Sequence, residues 1–392
     1  MKPIRTALVG ISGMGGSHRR KLHEADEFEL VCAMDAYLDR HQEAAEETRQ
    51  WGVALYDDYW DMLEAHGDVE LVVIAAPHHW HAPYSLVALE RGLHVFVEKP
   101  VTVTVQEATA LLEAQQAADR LVGVHFQWTS YGSSQQLKKF LVDGGLGAIE
   151  QVIASMKWHR TDEYYLRNEW AGRRYVDGRP VWDGVLMNQA IHTLNSALEF
   201  ATRKPEFATP ERVQAELYRV HDIETEDVAC LRAQLDEAVL TVYATTCCDQ
   251  DYPTTFRIEG EKGYAEWQGK TARVVLNSGE ELVFDAEPQG DDTHRNMAAC
   301  LRGEEAELYA PAREAVKSTV TANACYLSAG RIDRVSWEEL GDIAGLIDHA
   351  AQERLLFSEL RDAPEWARTG EVVEVADMYS FDGLPDDPPE EA

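Results

Sequence analysis

Near the N-terminus, Thr6-Ala-Leu-Val9 is a short apolar run suited to a buried strand. It breaks into Gly10-Ile-Ser-Gly-Met-Gly-Gly16 before a helix-compatible stretch from Ser17 to Glu24. Few sequence features constrain a fold more tightly, because a strand, a glycine turn and a helix in that order form the phosphate-binding corner of a dinucleotide site. The first glycine permits the tight turn, the later ones let backbone and helix approach closely, and the N–H groups at the helix start favour a pyrophosphate. Gly10, Ser12, Gly13, Met14 and Gly15 are therefore expected to line the site. Ser12 stands where the pattern G-x-G-x-x-G has its second glycine. Its side chain crowds the pyrophosphate unless Gly13 or Gly15 permits a wider turn.

The next apolar run, Phe28 to Met34, ends in Asp35. That is the separation, roughly 20 to 25 residues, at which an acid accepts both ribose hydroxyls of the nucleotide. A carboxylate there repels a 2′-phosphate, so NAD is favoured over NADP, and Arg40 nearby keeps that preference soft.

Up to Trp128, short apolar runs alternate with longer amphipathic ones. Strands are expected at Thr6, Leu30, Leu71, Val95 and Leu121, with helices over 39–50 and 106–118. This alternation predicts an α/β fold with a doubly wound parallel sheet. Beyond Ser130 the texture changes: a helix near 135–142, a strand near 149–158, a loop rich in aromatics and arginines, and a helix over 185–200. Strands over 213–220, 228–235, 239–246 and 255–267, and two shorter ones to Phe284, then follow without intervening helices. Turns such as Asp236-Glu237 and Glu261-Lys-Gly263 join them, which predicts a large open, mainly antiparallel sheet with one face open or partner-covered. A homodimer or homotetramer is expected from such a face. Residues 294–329 read as two helices closing this second domain, and 344–360 as one more. The expected divisions are a nucleotide-binding domain over 1–128, a substrate-binding and oligomerisation α/β domain over 129–375, and an acidic, disordered tail over 376–392.

At 392 residues and 45% hydrophobic content, the chain can bury two sizeable cores. The formal net charge of -33 repels phosphate backbones and anionic membranes, so neither is expected as a partner. Apolar runs such as Leu71 to Ala76 fall far short of the roughly 20 residues of a membrane span, and a cytoplasmic location is expected. Six cysteines show neither C-x-x-C nor metal-like spacing, and read as buried free thiols.

The strand Val69 to Ala76 runs into Pro77 and His78-His-Trp-His81, in a position where loops of a doubly wound sheet line the ligand crevice. Pro77 and His81 are expected there, His81 near the nicotinamide ribose. With no acidic or cysteine partner in sequence, these histidines read as a loop leading into a helix, and no metal is expected. His94-Val-Phe-Val-Glu98-Lys99-Pro100 brings Glu98 and Lys99 to the same edge. A partly desolvated lysine beside a cationic nicotinamide has a lowered pKa and can bind a substrate oxygen or shuttle its proton. In Trp182 to Asn195, residues Asn188, His192 and Asn195 fall at i, i+4 and i+7, one polar stripe on a helix. His192 is the natural acid/base group, and Asn188 can orient a hydroxyl but cannot take its proton. Trp158, Arg160 and Tyr165 belong to a segment whose flat aromatic faces and hydrogen-bonding heads suit a polyhydroxylated ligand.

The Gly turn, Glu98-Lys99-Pro100 and the segment with Asn188 and His192 together resemble the Gfo/Idh/MocA family of oxidoreductases, over nearly the whole chain from about Ile4 to Ile332. The resemblance implies an N-terminal Rossmann domain, a C-terminal α/β domain, and NAD(P)-dependent hydride transfer to or from a secondary alcohol of a sugar, sugar derivative or cyclitol. It implies Lys99 and His192 as the catalytic pair, with Asn188 where the family usually carries aspartate. Gln127-Trp128, where an arginine and an aromatic are common, is a further departure. Two other classes remain open: a redox-neutral, NAD-dependent glycoside-cleaving enzyme, and a non-enzymatic NAD(P)-binding sensor.

Overall fold

The computed structural model describes residues 2–285 and 292–385. The chain divides into two compact units. One comprises residues up to Thr102, Glu107–Phe126 and Asp292–Ala315; the other comprises Val103–Gln106, the chain from Gln127 through the large sheet, and the chain from Val316 onward.

The first unit is built on six strands: β1 (Ile4–Val9), β2 (Phe28–Met34), β3 (Ala54–Tyr56), β4 (Leu71–Ile74), β5 (His94–Val97) and β6 (Val122–Val124). Their order is β3-β2-β1-β4-β5-β6 and every neighbouring pair is parallel. Helices α1 (Met14–Glu24), α2 (Gln42–Gln50), α3 (Tyr59–Ala65), α4 (His81–Glu90) and α5 (Val105–Ala118) alternate with the strands in the chain. All four residues of β4 are buried, the unbroken apolar run that a strand covered on both faces requires. The strand order reverses between β1 and β4, and the carboxyl ends there form the crevice where open α/β sheets take ligands.

β3 went unforeseen because three half-buried residues carry no periodic signal. The helix Thr293–Leu301, expected to close the second domain, belongs to the first unit instead. Its Met297 and Ala298 join Leu8, Ile11, Leu22, Val73 and Phe96 in one core cluster, where their apolar surface is removed from water.

The second unit's sheet contains β7 (Ile149–Lys157); a small separate hairpin, β8 (Tyr175–Val176) and β9 (Arg179–Pro180), precedes the remaining strands. These are β10 (Pro210–Arg219), β11 (Val228–Leu235), β12 (Val239–Thr245), β13 (Thr255–Gly260), β14 (Gly263–Gln268), β15 (Thr271–Leu276), β16 (Glu281–Asp285), β17 (Asp333–Arg334) and β18 (Val373–Glu374). The order is β16-β15-β14-β13-β7-β12-β11-β10-β17, with β18 also on β10. β7 runs parallel to β12 and β10 parallel to β17, while the other pairs are antiparallel, so the sheet is mixed but mainly antiparallel. The apolar stretch over 255–267 is a hairpin closed where Gly260 meets Gly263, which aligns Phe256 with Trp267. Helices α6 (Gly132–Val142), α7 (Asp162–Tyr165) and α8 (Ile191–Phe200) also belong to this unit.

Of the acidic C-terminal stretch, residues 376–385 are described. Phe381 is buried, stacks on Tyr326 and gives its N–H to Gln106 Oε1 at 2.9 Å. Residues 386–392 lie outside the described residues. All six cysteines are free and five are buried; burial pushes the Cys248 thiol up to about 12 and Cys247 well above its ordinary value. Among the described residues no helix is long and apolar enough to cross a membrane.

Candidate functional site

Gly10 leaves β1 with φ of +84°, and a Cβ on it would stand 2.4 Å from the Ala75 carbonyl oxygen. A Cβ on Gly15 would meet the Gly10 carbonyl oxygen at 2.3 Å, so neither position tolerates a side chain. Gly13, at φ of +56°, precedes α1, which begins at Met14 with no side-chain cap and no acid in its first turn. The N–H groups at that start keep their partial positive charge for an anion. The Ser12 hydroxyl lies 3.0 Å from His41 Nε2, and His41 Nδ1 lies 3.1 Å from Asp35 Oδ2. Asp35, at the end of β2, also accepts the N–H groups of Ile11 at 3.1 Å and Tyr37 at 2.9 Å. These contacts join the Gly turn to the acid expected at the ribose, and the cradle fits a dinucleotide.

The turn after β4 carries Pro77, half-buried, and leads to His81, which is fully buried. His81 has Nδ1 2.6 Å from the Pro100 carbonyl and Nε2 2.7 Å from the Ala76 carbonyl. Its ring thus braces the turn after β4 against the turn after β5. Glu98 likewise faces inward. Its Oε1 meets His18 Nε2 at 2.9 Å and His125 Nδ1 at 2.7 Å, and its Oε2 accepts the Lys99 N–H at 3.2 Å. His18 Nδ1 continues the chain to His294 Nε2 at 2.8 Å. Burial alone would raise the Glu98 pKa, but His125 and His18 outweigh it and hold the carboxyl well below its usual range. Among the described residues, His18, Glu98 and His125 form one of two groups whose metal-ligating atoms converge; the other is His221, Asp227 and Cys247. In the first group the spacings are those of hydrogen bonds. Lys99 is half-buried at the end of β5, and its bond to Pro100 is cis.

In the second unit the helix expected from 185 begins only at Ile191. The Val185 and Leu186 N–H groups go to Glu226, to its carbonyl at 2.8 Å and its Oε1 at 2.9 Å, and the Ala190 N–H reaches back five residues to the Val185 carbonyl at 2.7 Å, where a helix would reach back four. The expected single helical stripe is therefore corrected: Asn188 sits in the turns before α8, and only His192 and Asn195 lie on the helix. Asn188 and His192 are both buried, with the Trp128 ring centred 5.2 Å from that of His192.

Asn188 Nδ2 donates to Asp183 Oδ1 at 2.6 Å. The Asp183 carboxylate, 2% exposed, also accepts the Gly172 N–H at 2.9 Å and an Arg167 N–H at 3.2 Å, both on Oδ2. Gln189 Nε2 donates to the Tyr164 hydroxyl at 3.0 Å. The Arg160 guanidinium lies 5.1 Å from the Trp158 ring and 5.3 Å from that of Tyr164. The Tyr165 hydroxyl pairs with Thr246 Oγ1 at 2.8 Å, and burial pushes its phenol up.

The structure thus gathers Gly10, Ser12 and Asp35, and separately Trp158 and Arg160. Lys99 belongs to the first unit; Trp158, Arg160, Tyr165, Asn188 and His192 belong to the second. The His18–Glu98–His125 chain and Asp183 were missed. Asp183 lies five residues before Asn188, a spacing with no helical meaning in a turn.

Residues 4–126 match the family model described as an oxidoreductase family with an NAD-binding Rossmann fold, and residues 134–266 match the GFO/IDH/MocA C-terminal domain. Inositol 2-dehydrogenase 4 of Saccharopolyspora erythraea is 35% identical over 37% of this chain and 43% of its own length. D-glucoside 3-dehydrogenase of Escherichia coli is 28% identical over 39% of this chain and 43% of its own length. The matched region thus spans less than half of either relative. An inositol dehydrogenase homolog complexed with NAD+ from Azotobacter vinelandii superposes with a TM-score of 0.73, covering 84% of this chain and 95% of that one at 22% identity, a likeness of fold.

Proposed function

The chain belongs to the Gfo/Idh/MocA oxidoreductase family, and from that premise we propose that it is an NAD-dependent dehydrogenase of a secondary alcohol on a sugar, sugar derivative or cyclitol. The observation that carries this reading is that the side-chain-intolerant Gly10 turn, Asp35 and Lys99 all stand at the carboxyl edge of one parallel sheet. NAD is preferred over NADP because the Asp35 carboxylate repels a 2′-phosphate. When bound, the nicotinamide supplies the hydride acceptor.

The chain's own residues do the rest. The start of α1 and the Gly turn hold the pyrophosphate, Asp35 the ribose, and Lys99 hydrogen-bonds the substrate oxygen while its charge steadies the developing alkoxide. His192 takes the hydroxyl proton; Asn188, unable to take it, orients the hydroxyl. Trp158, Arg160 and Tyr165 bind the polyhydroxylated body of the substrate. The names of the two curated relatives support a cyclitol or sugar. A cytoplasmic homo-oligomer is part of the same proposal.

Absorbance at 340 nm tests the reading, with NAD and then NADP against a panel of cyclitols, sugars and sugar acids. NADH formation that disappears in His192→Ala is expected. Silence with both cofactors, despite NAD binding, would overturn it.

A further inference from the structure

We propose that His41 is a specificity-determining residue for the coenzyme: it makes the Ser12 hydroxyl a hydrogen-bond acceptor, so that Ser12 and Asp35 share the two ribose hydroxyls of NAD and turn away a 2′-phosphate. This rests on the function proposed above. All three residues belong to the first unit.

Asp35 is well supplied with donors. Its Oδ2 accepts the Ile11 N–H at 3.1 Å and lies 3.1 Å from His41 Nδ1, and its Oδ1 accepts the Tyr37 N–H at 2.9 Å. A backbone N–H on each oxygen suits an ionised carboxylate, which only accepts, so the ring proton of His41 sits on Nδ1. A carboxylate offers about four lone-pair sites. Three are taken, and the one left, on Oδ1, suffices for one ribose hydroxyl. The other hydroxyl needs a second acceptor close by.

Ser12 supplies it. Its neighbour Ile11 sits on Asp35, so Ser12 stands beside the carboxylate, and its Oγ lies 3.0 Å from His41 Nε2. With Nδ1 protonated, the neutral ring has its acceptor at Nε2, and the single hydroxyl proton of Ser12 goes there. What remains on Ser12 Oγ is lone pairs. They receive a ribose hydroxyl and offer nothing to a phosphate, whose oxygens are themselves acceptors. The backbone holds His41 in place: its N–H reaches the Tyr37 carbonyl at 3.1 Å, and its carbonyl takes the Ala45 N–H at 2.9 Å at the start of α2. The contact also accounts for a serine where G-x-G-x-x-G has its second glycine, because the hydroxyl has a use there.

Coenzyme binding tests this without a substrate. NADH and NADPH are titrated separately at pH 8 against wild type, His41→Phe, Ser12→Ala and the double variant, followed by nicotinamide fluorescence, with thermal melting alongside. Phenylalanine keeps a flat ring and removes both nitrogens. His41→Phe is expected to weaken NADH about tenfold, the scale of one hydrogen bond. NADPH should bind that variant as well as wild type or better, because the Ser12 proton is released to a phosphate oxygen. Ser12→Ala should weaken NADH by a similar factor, and the double variant should lose little more than His41→Phe, since Ser12 acts through the proton direction that His41 sets. Equal weakening of both coenzymes in His41→Phe, an unchanged preference, or losses that add in the double variant would overturn the assignment while the proposed function stands.

Should His41→Phe not fold, Ser12→Ala decides alone. Weaker NADH with unchanged NADPH is expected, and an equal effect on both coenzymes, including none, would overturn the assignment. Wild type that binds neither coenzyme would instead overturn the proposed function and, with it, the role given to His41.

Discussion

Glu98 and Glu226 are both buried carboxyls, one in each unit, and their environments push them in opposite directions. Glu98 receives two histidine nitrogens and a backbone N–H, and its pKa falls well below the ordinary value although burial opposes this. Glu226 receives the Leu186 N–H and the Tyr326 hydroxyl on a single oxygen, and burial pushes it up to about 8. Its second oxygen has no hydrogen-bond partner among the described residues. Burial sets the cost, and the number and charge of the donors decide the protonation state. The turn holding Lys99 is therefore braced by an anion, whereas the segment holding Asn188 is braced by a neutral acid.

The largest effect expected at a single, neutral pH is at Glu98. Glu98→Gln removes the anion but leaves its two buried histidine partners, at a cost of about 3 kcal/mol, readable by urea unfolding near pH 7. A depressed folded pKa contributes stability above the unfolded pKa that is lost as pH falls, so the variant should also show a shallower acid limb. Unchanged stability would break the comparison.

Glu226→Gln should act with the opposite sign. A raised folded pKa gives stability that is full below the unfolded value, near 4.5, and is lost as pH climbs through about 8. Wild type should therefore lose roughly 1.4 kcal/mol per pH unit across that window from this group, and the variant should not. Unfolding at pH 5, 6.5 and 8 gives the two slopes; parallel slopes would mean that Glu226 is ionised.

The smallest effect sharpens the contrast further. Asn195, fully buried on α8, has neither amide atom hydrogen-bonded among the described residues. Asn195→Leu should leave stability unchanged or raise it by about 1 kcal/mol, since it removes unsatisfied polar atoms while keeping the same branching and number of side-chain heavy atoms. A loss above that, measured by the same unfolding, would show that the amide holds an internal water.

The first unit was legible because its chemistry is contiguous. Gly10 to Gly16, Asp35 and Glu98-Lys99-Pro100 each follow an apolar strand, and a parallel sheet necessarily delivers strand ends to one edge. What escaped was the inward face of the same motif. The histidines that hold Glu98 come from positions 18 and 125, with 294 beyond them, and no local spacing links them. In the second unit the helical reading of 185–200 failed at its start because the backbone there is wound irregularly: the Ala190 N–H reaches back five residues to the Val185 carbonyl, where a regular helix reaches back four. The polar stripe was thus legible in composition, while its geometry followed a local backbone irregularity that side-chain spacing does not reveal.

Hydride transfer itself can be followed by isotope. The protein is mixed with NAD and a cyclitol or glucoside from the 340 nm panel, deuterated at the carbon bearing the reacting hydroxyl, and the NADH formed is examined by NMR and timed against the undeuterated substrate. Deuterium at C4 of the nicotinamide, with slower turnover that disappears in His192→Ala while NADH binding persists, is the expected result. NADH free of deuterium, or a His192→Ala protein as fast as wild type, would contradict the proposed function.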